Sequence, residues 1–402
     1  WQVLYRKREI GPGIPNRKDH MQRRKFIGSA GLAGILAAGM APAAHANQAI
    51  RWRVATRLPK ILDIPHGGLQ GFIQTIKVLS GGKFELSLVI IEDGAANATV
   101  LDLVQRGGVE CGFTIASRYI AKDETFALDS AIPFGLNSQQ MDAWLSQGQG
   151  LQLLREFYAG YGIVNFPMGN TGAQMGGWYR KPPRSASDLK GLRMRIGGLG
   201  ARIIEQLGGR AVHQSGEETV KSLERGNLDA AEWSSPHDDL RLGLHDVCKH
   251  YAHPGWWKGG MQYSLYVNRR AYTALTPENQ ANLEAAAAQA HIDISTQYAA
   301  RNPLALSELV ATGTRLSSMP KSVLDAAWAA AADLYADLAK KNPQWKKIHA
   351  SYASFLKAQA WTQPGVDYDG YMQAQLMKAI EAEQKARKSA PAGRHKATAQ
   401  KR

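Results

Sequence analysis

Gly169-Asn170-Thr171-Gly172-Ala173-Gln174-Met175-Gly176-Gly177-Trp178, Leu189-Lys190-Gly191-Leu192-Arg193-Met194-Arg195-Ile196-Gly197-Gly198 and Leu228-Asp229-Ala230-Ala231-Glu232-Trp233-Ser234 are three pieces of one central stretch. Short apolar runs alternate there with amphipathic ones. The spacing predicts a strand edge over 176–180, a strand over 192–196, a helix over 200–207, a short strand over 211–213, a helix over 216–225 and a strand over 228–232. The same rhythm runs earlier. Arg51-Trp52-Arg53-Val54-Ala55-Thr56 reads as a strand ended by Leu58-Pro59. Helix 68–79, strand 84–91, helix 100–106, strand 109–115, a long helix over 139–161 and a strand over 162–166 follow. Such alternation predicts open, mostly parallel sheets with helices on their faces. Because it stops and restarts, we expect an α/β fold of two lobes with a cleft between them.

The lobes are expected at 47–171, with 262–300 returning to the first, and at 172–261. A strand over 263–268 is the return. Beyond Thr276-Pro277-Glu278, an N-cap followed by proline at N1, the chain reads as helices alone. The first runs to about 300, the second opens at Asn302-Pro303, the third covers 320–340, and the last opens at Asn342-Pro343. The segment 301–384 is expected to lie across both lobes as a brace or a dimer contact.

Each quoted piece carries one polar group at an element edge. Arg195 ends an apolar strand just before Gly197-Gly198, where a guanidinium fork can grip a carboxylate with two parallel hydrogen bonds. An inter-strand salt bridge satisfies that residue equally well. Gln174 lies among small residues, and its amide can offer oxygen to a cation or nitrogen to a carboxylate. Asn170 can do the same or merely satisfy turn backbone. Glu232 needs a cation or a donor at its strand end. A hard cation would take oxygens from Gln174, Glu232 and main-chain carbonyls. This set holds a small anion beside a cation; it is a poor set for breaking bonds.

Met21-Gln22-Arg23-Arg24-Lys25-Phe26-Ile27, a mild apolar run to Ala44 and the small-x-small site Ala44-His45-Ala46 form an export signal in order. The paired arginines resemble a twin-arginine signal. Residues 21–46 are therefore expected to be removed, residues 1–20 to be an upstream extension, and the mature chain to begin near Asn47. Of the formal charge of +15, residues 1–46 carry +6 and the tail 385–402 carries +7, leaving +2 on the body. The basic tail reads as a solvated disordered end, and the body has no electrostatic case for nucleic acid. Cys111 and Cys248 allow at most one bridge, and a buried free thiol is the simpler reading of Cys111. The histidines have no metal-site spacing, and no nucleophile motif or phosphate loop occurs.

With these residues in hand, the chain resembles the extracytoplasmic solute receptors of TRAP (tripartite ATP-independent periplasmic) transporters. It looks like the branch that binds 2-oxo acids such as pyruvate through a sodium ion. The resemblance covers about residues 50–360 and rests on the 169–178 segment, Asp229-Ala230-Ala231-Glu232-Trp233, Tyr251-Ala252-His253-Pro254-Gly255-Trp256-Trp257 and Ile132-Pro133-Phe134-Gly135-Leu136-Asn137. It implies a two-lobed periplasmic solute-binding fold with long C-terminal helices that in this branch can pair subunits into a homodimer. It implies that Arg195 fixes the substrate carboxylate, with Asn170 near the pocket. Gln174 and Glu232 would be side-chain ligands of sodium, calcium or another hard cation, with the Trp233 carbonyl as a further ligand. It also implies delivery of a small organic acid to membrane permease subunits.

The first lobe departs from that pattern. Arg57-Leu58-Pro59 stands where the branch has Ser-Trp-Pro, Ile91-Glu92-Asp93-Gly94 lacks the following proline, and Ser117-Arg118-Tyr119 replaces a run of tyrosines. Arg57 or Arg118, if turned inward, would meet a second carboxylate. We therefore expect a 2-oxo acid or a longer or dicarboxylic relative, read across the cleft by Arg57, Leu58, Arg118 and Tyr119. A metal-assisted enzyme, an envelope adaptor and a sensing or scavenging receptor without a permease are the competing readings. Turnover, absence of a ligand-induced thermal shift and absence of neighbouring permease genes would respectively mark them.

Overall fold

The computed structural model describes residues 49–91 and 98–359. The expected upstream extension, the export signal and the basic tail lie outside the described residues. Eleven strands follow in chain order. They are β1 (Ile50–Thr56), β2 (Phe84–Ile90), β3 (Cys111–Thr114), β4 (Ile163–Asn170), β5 (Trp178–Tyr179), β6 (Arg193–Arg195), β7 (Arg210–Val212), β8 (Ala230–Ala231), β9 (His250–His253), β10 (Gln262–Asn268) and β11 (Arg315–Ser318). They form one five-stranded sheet, β2-β1-β3-β10-β4, and one six-stranded sheet, β11-β9-β5-β8-β6-β7.

β1 runs parallel to β2 and β3, while β10 runs against β3 and β4. In the second sheet β6 is parallel to β7 and β8, β11 is parallel to β9, and β5 runs against β8 and β9. One strand per sheet opposes the rest, as expected of a mostly parallel α/β fold of two lobes. β1 shows why a strand forms there: Trp52 and Val54 are buried while Arg51 and Arg53 are exposed, the two-residue period of a half-covered strand. The central strands β3 and β10 are buried nearly throughout, because helices cover both faces.

Three expectations need correction. The helix expected over 139–161 is two helices, Ser138–Ser146 and Gly150–Ala159. The break lets Trp144 bury completely: a Cβ at Gly150 would stand 2.6 Å from its ring. The two helices expected either side of Pro303 are a single helix, Pro277–Ala311, of 35 residues. Tertiary bonds hold the helix through the proline: Asn302 donates to the Thr171 carbonyl at 2.9 Å and accepts from the His237 amide at 3.2 Å. Finally, a strand, β11, interrupts the stretch expected to be helices alone. Its sequence, Arg315-Leu316-Ser317-Ser318, has one large apolar residue, so only pairing with β9 reveals it.

The last two helices, Lys321–Lys341 and Pro343–Gln359, bury Leu334, Leu338, Trp345, Ile348 and Tyr352 in one apolar cluster. That cluster also takes Trp144 and Leu154 from the first part of the chain and Ile196, Ile203 and Trp257 from the second. Tyr352 accepts the Leu136 amide at 2.6 Å, and Tyr335 donates to the Pro133 carbonyl at 2.7 Å. The helices therefore tie the two sheets' surroundings together.

Candidate functional site

The site starts from strand register. β6 pairs in parallel with β8, placing Arg195 opposite Ala231, so Arg195 and Glu232 emerge side by side at the carboxyl ends of adjacent strands. Carboxyl ends of parallel strands are where open α/β sheets receive ligands. The Glu232 amide continues the ladder to the Arg195 carbonyl at 2.8 Å. Arg195 Nη1 donates to the Glu232 main-chain oxygen at 2.6 Å and to its Oε2 at 3.3 Å, and Nε donates to the Gln214 carbonyl at 3.3 Å. The guanidinium also lies 4.6 Å from the Trp233 ring centroid, a cation–π contact that holds it in one plane. Nη2 takes part in none of these bonds. Burial depresses the Arg195 pKa and Arg118 adds to the effect, while Glu232 opposes both.

The second wall is the loop between β4 and β5. Gln174 is only 3% exposed, yet neither its Oε1 nor its Nε2 has a hydrogen-bond partner. A buried amide without partners is costly, and a polar ligand is one way to satisfy it. Glycine brings the facing loop close: a Cβ at Gly255 would lie 2.3 Å from the Gln174 carbonyl oxygen. At Gly177 the backbone has φ +89°, and a Cβ there would lie 2.9 Å from the Ala231 carbonyl. Trp257 donates to the Met175 carbonyl at 3.2 Å and the Gln174 backbone N–H to the Lys258 carbonyl at 3.4 Å. This pairing brings in a residue the sequence reading passed over. Lys258 Nζ sits 2.6 Å from Glu232 Oε1, with the two side chains 12% and 2% exposed. The only sequence signal was a lone cation in a Gly-rich, Trp-rich loop.

Asn170 is committed to structure: its Nδ2 bonds Gln262 at 3.2 Å, and its Oδ1 accepts the Gly172 amide at 3.0 Å. Tyr119 is not brought to Arg195. Its ring packs on Phe126 and Tyr266 in the core and its hydroxyl meets Thr114 at 2.6 Å, because it ends the 3-10 turn Ala116–Tyr119 on that turn's buried side. Arg118, the next residue back, is exposed on the 3-10 turn Ala116–Tyr119, and its charge is felt at Arg195. Arg57 donates to the Ala98 carbonyl at 3.2 Å, and Leu58 is buried.

Sequence reading also missed the Asp238-Asp239 pair. Asp239 accepts Trp178 at 2.9 Å, Tyr251 at 2.7 Å and the Ser234 amide at 3.0 Å. Asp238 accepts Ser234 Oγ at 2.6 Å and Tyr298 at 3.0 Å. Together they fix the turn after Glu232. A separate depression of 760 Å³, lined by Arg106, Tyr161, Arg269 and Thr273, lies at the opposite strand ends of the first sheet and holds none of these residues.

The expected cation ligands are partly suited to that task. Gln174 offers an unpartnered oxygen. Glu232 does not in this arrangement, since Lys258 holds one oxygen and Arg195 the other. Among the described residues no group of three or more His, Cys, Asp or Glu side chains is placed to hold a metal ion. An ion bound here would first have to displace an ammonium.

Residues 59–342 match the model of the bacterial extracellular solute-binding protein, family 7 (DctP). The chain is 38% identical over 308 residues to the monocarboxylate 2-oxoacid-binding periplasmic protein of Nostoc sp., covering 77% of this chain and 84% of that one. It is 38% identical, with a TM-score of 0.78, to a TRAP transporter solute-binding protein from Bordetella bronchiseptica, over 84% of this chain and all (100%) of that one. The Bordetella protein was solved as a mixed-occupancy dimer, with an active site holding copurified calcium and picolinate versus an apo site. A TRAP periplasmic solute-binding protein from Pseudoalteromonas atlantica, with bound sodium and pyruvate, is 30% identical with a TM-score of 0.74, over 81% of this chain and 99% of that one. With this fold, and a family match running from the first sheet to the C-terminal helices, the chain belongs to family 7 of the bacterial extracellular solute-binding proteins.

Proposed function

We propose that this protein is the extracytoplasmic receptor of a TRAP transporter, binding a small 2-oxo acid such as pyruvate, or a longer or dicarboxylic relative. The observation that carries this reading is the Arg195–Glu232 pair at the strand ends, next to a buried Gln174 amide that has no partner. Arg195 receives the solute carboxylate through its uncommitted Nη2, and Glu232 and Trp233 hold the guanidinium in place. The Gln174 amide turns to the solute's keto or carboxylate oxygens. Arg118, on the first-lobe side, meets a second carboxylate when the solute has one.

The relatives' names and ligands support a receptor that binds without turnover, works in the periplasm and hands its solute to a membrane permease. The twin-arginine-like segment supplies the export route. If a sodium ion takes part, its oxygens come from Gln174, Glu232 and the Trp233 carbonyl, once Lys258 has left Glu232. The C-terminal helices, with the exposed Leu304 and Trp328, are where a homodimer contact is expected. Calorimetric titration with pyruvate, longer 2-oxo acids and dicarboxylates tests the function. We expect binding of at least one acid and a loss of about a hundredfold or more in Arg195→Ala. No response to any acid, or full affinity in Arg195→Ala, overturns it.

A further inference from the structure

Lys258 changes the chemistry of this pocket, an inference that rests on reading the pocket as the acid site. Its ammonium is 2.6 Å from Glu232 Oε1, and Arg195 Nη1 is 3.3 Å from Oε2. Each carboxylate oxygen thus already faces a cation, and the pair is almost wholly removed from water. The Lys258 backbone carbonyl accepts the Gln174 backbone N–H at 3.4 Å, so the ammonium and the unpartnered Gln174 side chain arise from two facing segments of one loop pair.

Charge decides between an ammonium and a metal ion. Arg195 and Lys258 bring two positive charges and Glu232 one negative, while Arg118 and Asp239 act on Arg195 in opposite senses, which leaves a single positive charge for one solute carboxylate to neutralise. A resident sodium or calcium ion would leave one or two charges uncompensated in a place with little water, where unpaired charge is most costly. The donors agree. A hard cation wants a shell of about six to eight oxygens, whereas among the described residues Glu232 belongs to no group of three or more His, Cys, Asp or Glu side chains placed to hold a metal ion. An ammonium has three N–H donors and no such demand. One serves Glu232, and two remain for solute oxygens.

We propose that the Lys258 ammonium takes the place of a metal ion, so that this receptor binds its carboxylate solute with no resident cation. Lys258 is then a binding residue that contacts the solute.

The test uses the whole chain, treated with chelator and dialysed into sodium-free potassium buffer. Pyruvate is titrated calorimetrically with and without added calcium or sodium, and calcium alone is titrated in parallel. We expect acid affinity to change by less than about twofold on adding either ion, and no saturable calcium binding by the unaltered chain. In Lys258→Gln, acid affinity without metal falls by about tenfold or more, and calcium binding appears. Acid binding by the unaltered chain that needs sodium or calcium overturns the proposal and leaves the acid-receptor reading standing. If no acid binds in any buffer, that reading fails, and calcium alone decides. Calcium bound by the unaltered chain and lost in Glu232→Gln then overturns the Lys258 role; calcium bound only by Lys258→Gln supports it. A thermal melt of each variant separates misfolding from lost binding, and the titrations of the unaltered chain stand without the variants.

Discussion

Gln174 separates binding from stability more sharply than any other residue near Arg195. Both of its amide atoms are buried without partners, so its side chain contributes no hydrogen bond to the free protein. Truncating it removes two unsatisfied polar atoms and leaves a small cavity, two effects that oppose each other. Gln174→Ala should therefore keep its melting temperature within about 2 °C of the parent, while acid affinity falls by about tenfold. A large drop in melting temperature with unchanged affinity would show that the amide serves folding alone. Arg195 contrasts with it. Its bonds to Glu232 and Gln214 hold in the free protein too, so its replacement touches both quantities. Arg195, Gln174 and Glu232 were legible as candidates because each stands at an element edge among small residues. Their partners were not, because Lys258 lies 26 residues from Glu232 along the chain.

Among the elements, β11 contributes what its composition hides. It covers the edge of β9, with the Arg315 amide on the Lys249 carbonyl at 2.7 Å and the Met319 amide on the His253 carbonyl at 2.6 Å. The alternation of a parallel ladder gives the amide of Ser317 the bond between them. Ser317→Pro should remove that bond and expose the edge, lowering stability by about 1–3 kcal/mol. The midpoint of urea unfolding checks it; an unchanged midpoint would mean that β11 is not held by β9. The helix through Pro303 teaches the same lesson. Asn302 bonds to Thr171 and to His237, and those tertiary bonds carry the chain through a residue that locally favours a stop.

The whole molecule is joined by more than its last helices. Asp63, at the start of the helix Asp63–Leu79, meets His237 at 2.9 Å, Arg301 at 3.2 Å and Arg241 at 3.4 Å, linking the first sheet's cover to the helix Pro236–Leu242. Buried acids give the molecule a distinctive response to pH. Burial pushes Asp129 and Asp239 from 3.8 up to about 7 and Asp238 up to about 6. Between pH 3.8 and about 7 the folded chain keeps protons that the unfolded chain has lost, so stability falls as pH rises through that window. Asp102 is held down to about 2, chiefly by its bond from Lys122, and works in the opposite sense only below pH 3.8. The upward shift of the fully buried Asp129 corresponds to on the order of 4 kcal/mol. Asp129 accepts Tyr158 at 2.6 Å and Ser264 at 2.9 Å, both through Oδ2. Asp129→Asn should keep an acceptor for them and flatten the decline of melting temperature between pH 5 and 7. Parallel curves for parent and variant would contradict the assignment.

The sequence by itself determined the α/β alternation, its restart after residue 170, and the placement of Arg195 and Glu232 at strand ends. These are short-range matters: the period of apolar residues and the glycines that end each element act over a few positions. Only the tertiary structure decided that Tyr119 turns into the core, that β11 joins a sheet, that one helix runs past Pro303, and that Lys258 reaches Glu232. Each depends on which distant segment supplies the hydrogen bonds or the charge, and composition carries no record of that partner. Arg195 shows both halves: its place at the strand end follows from local pattern, and its company there follows from the fold.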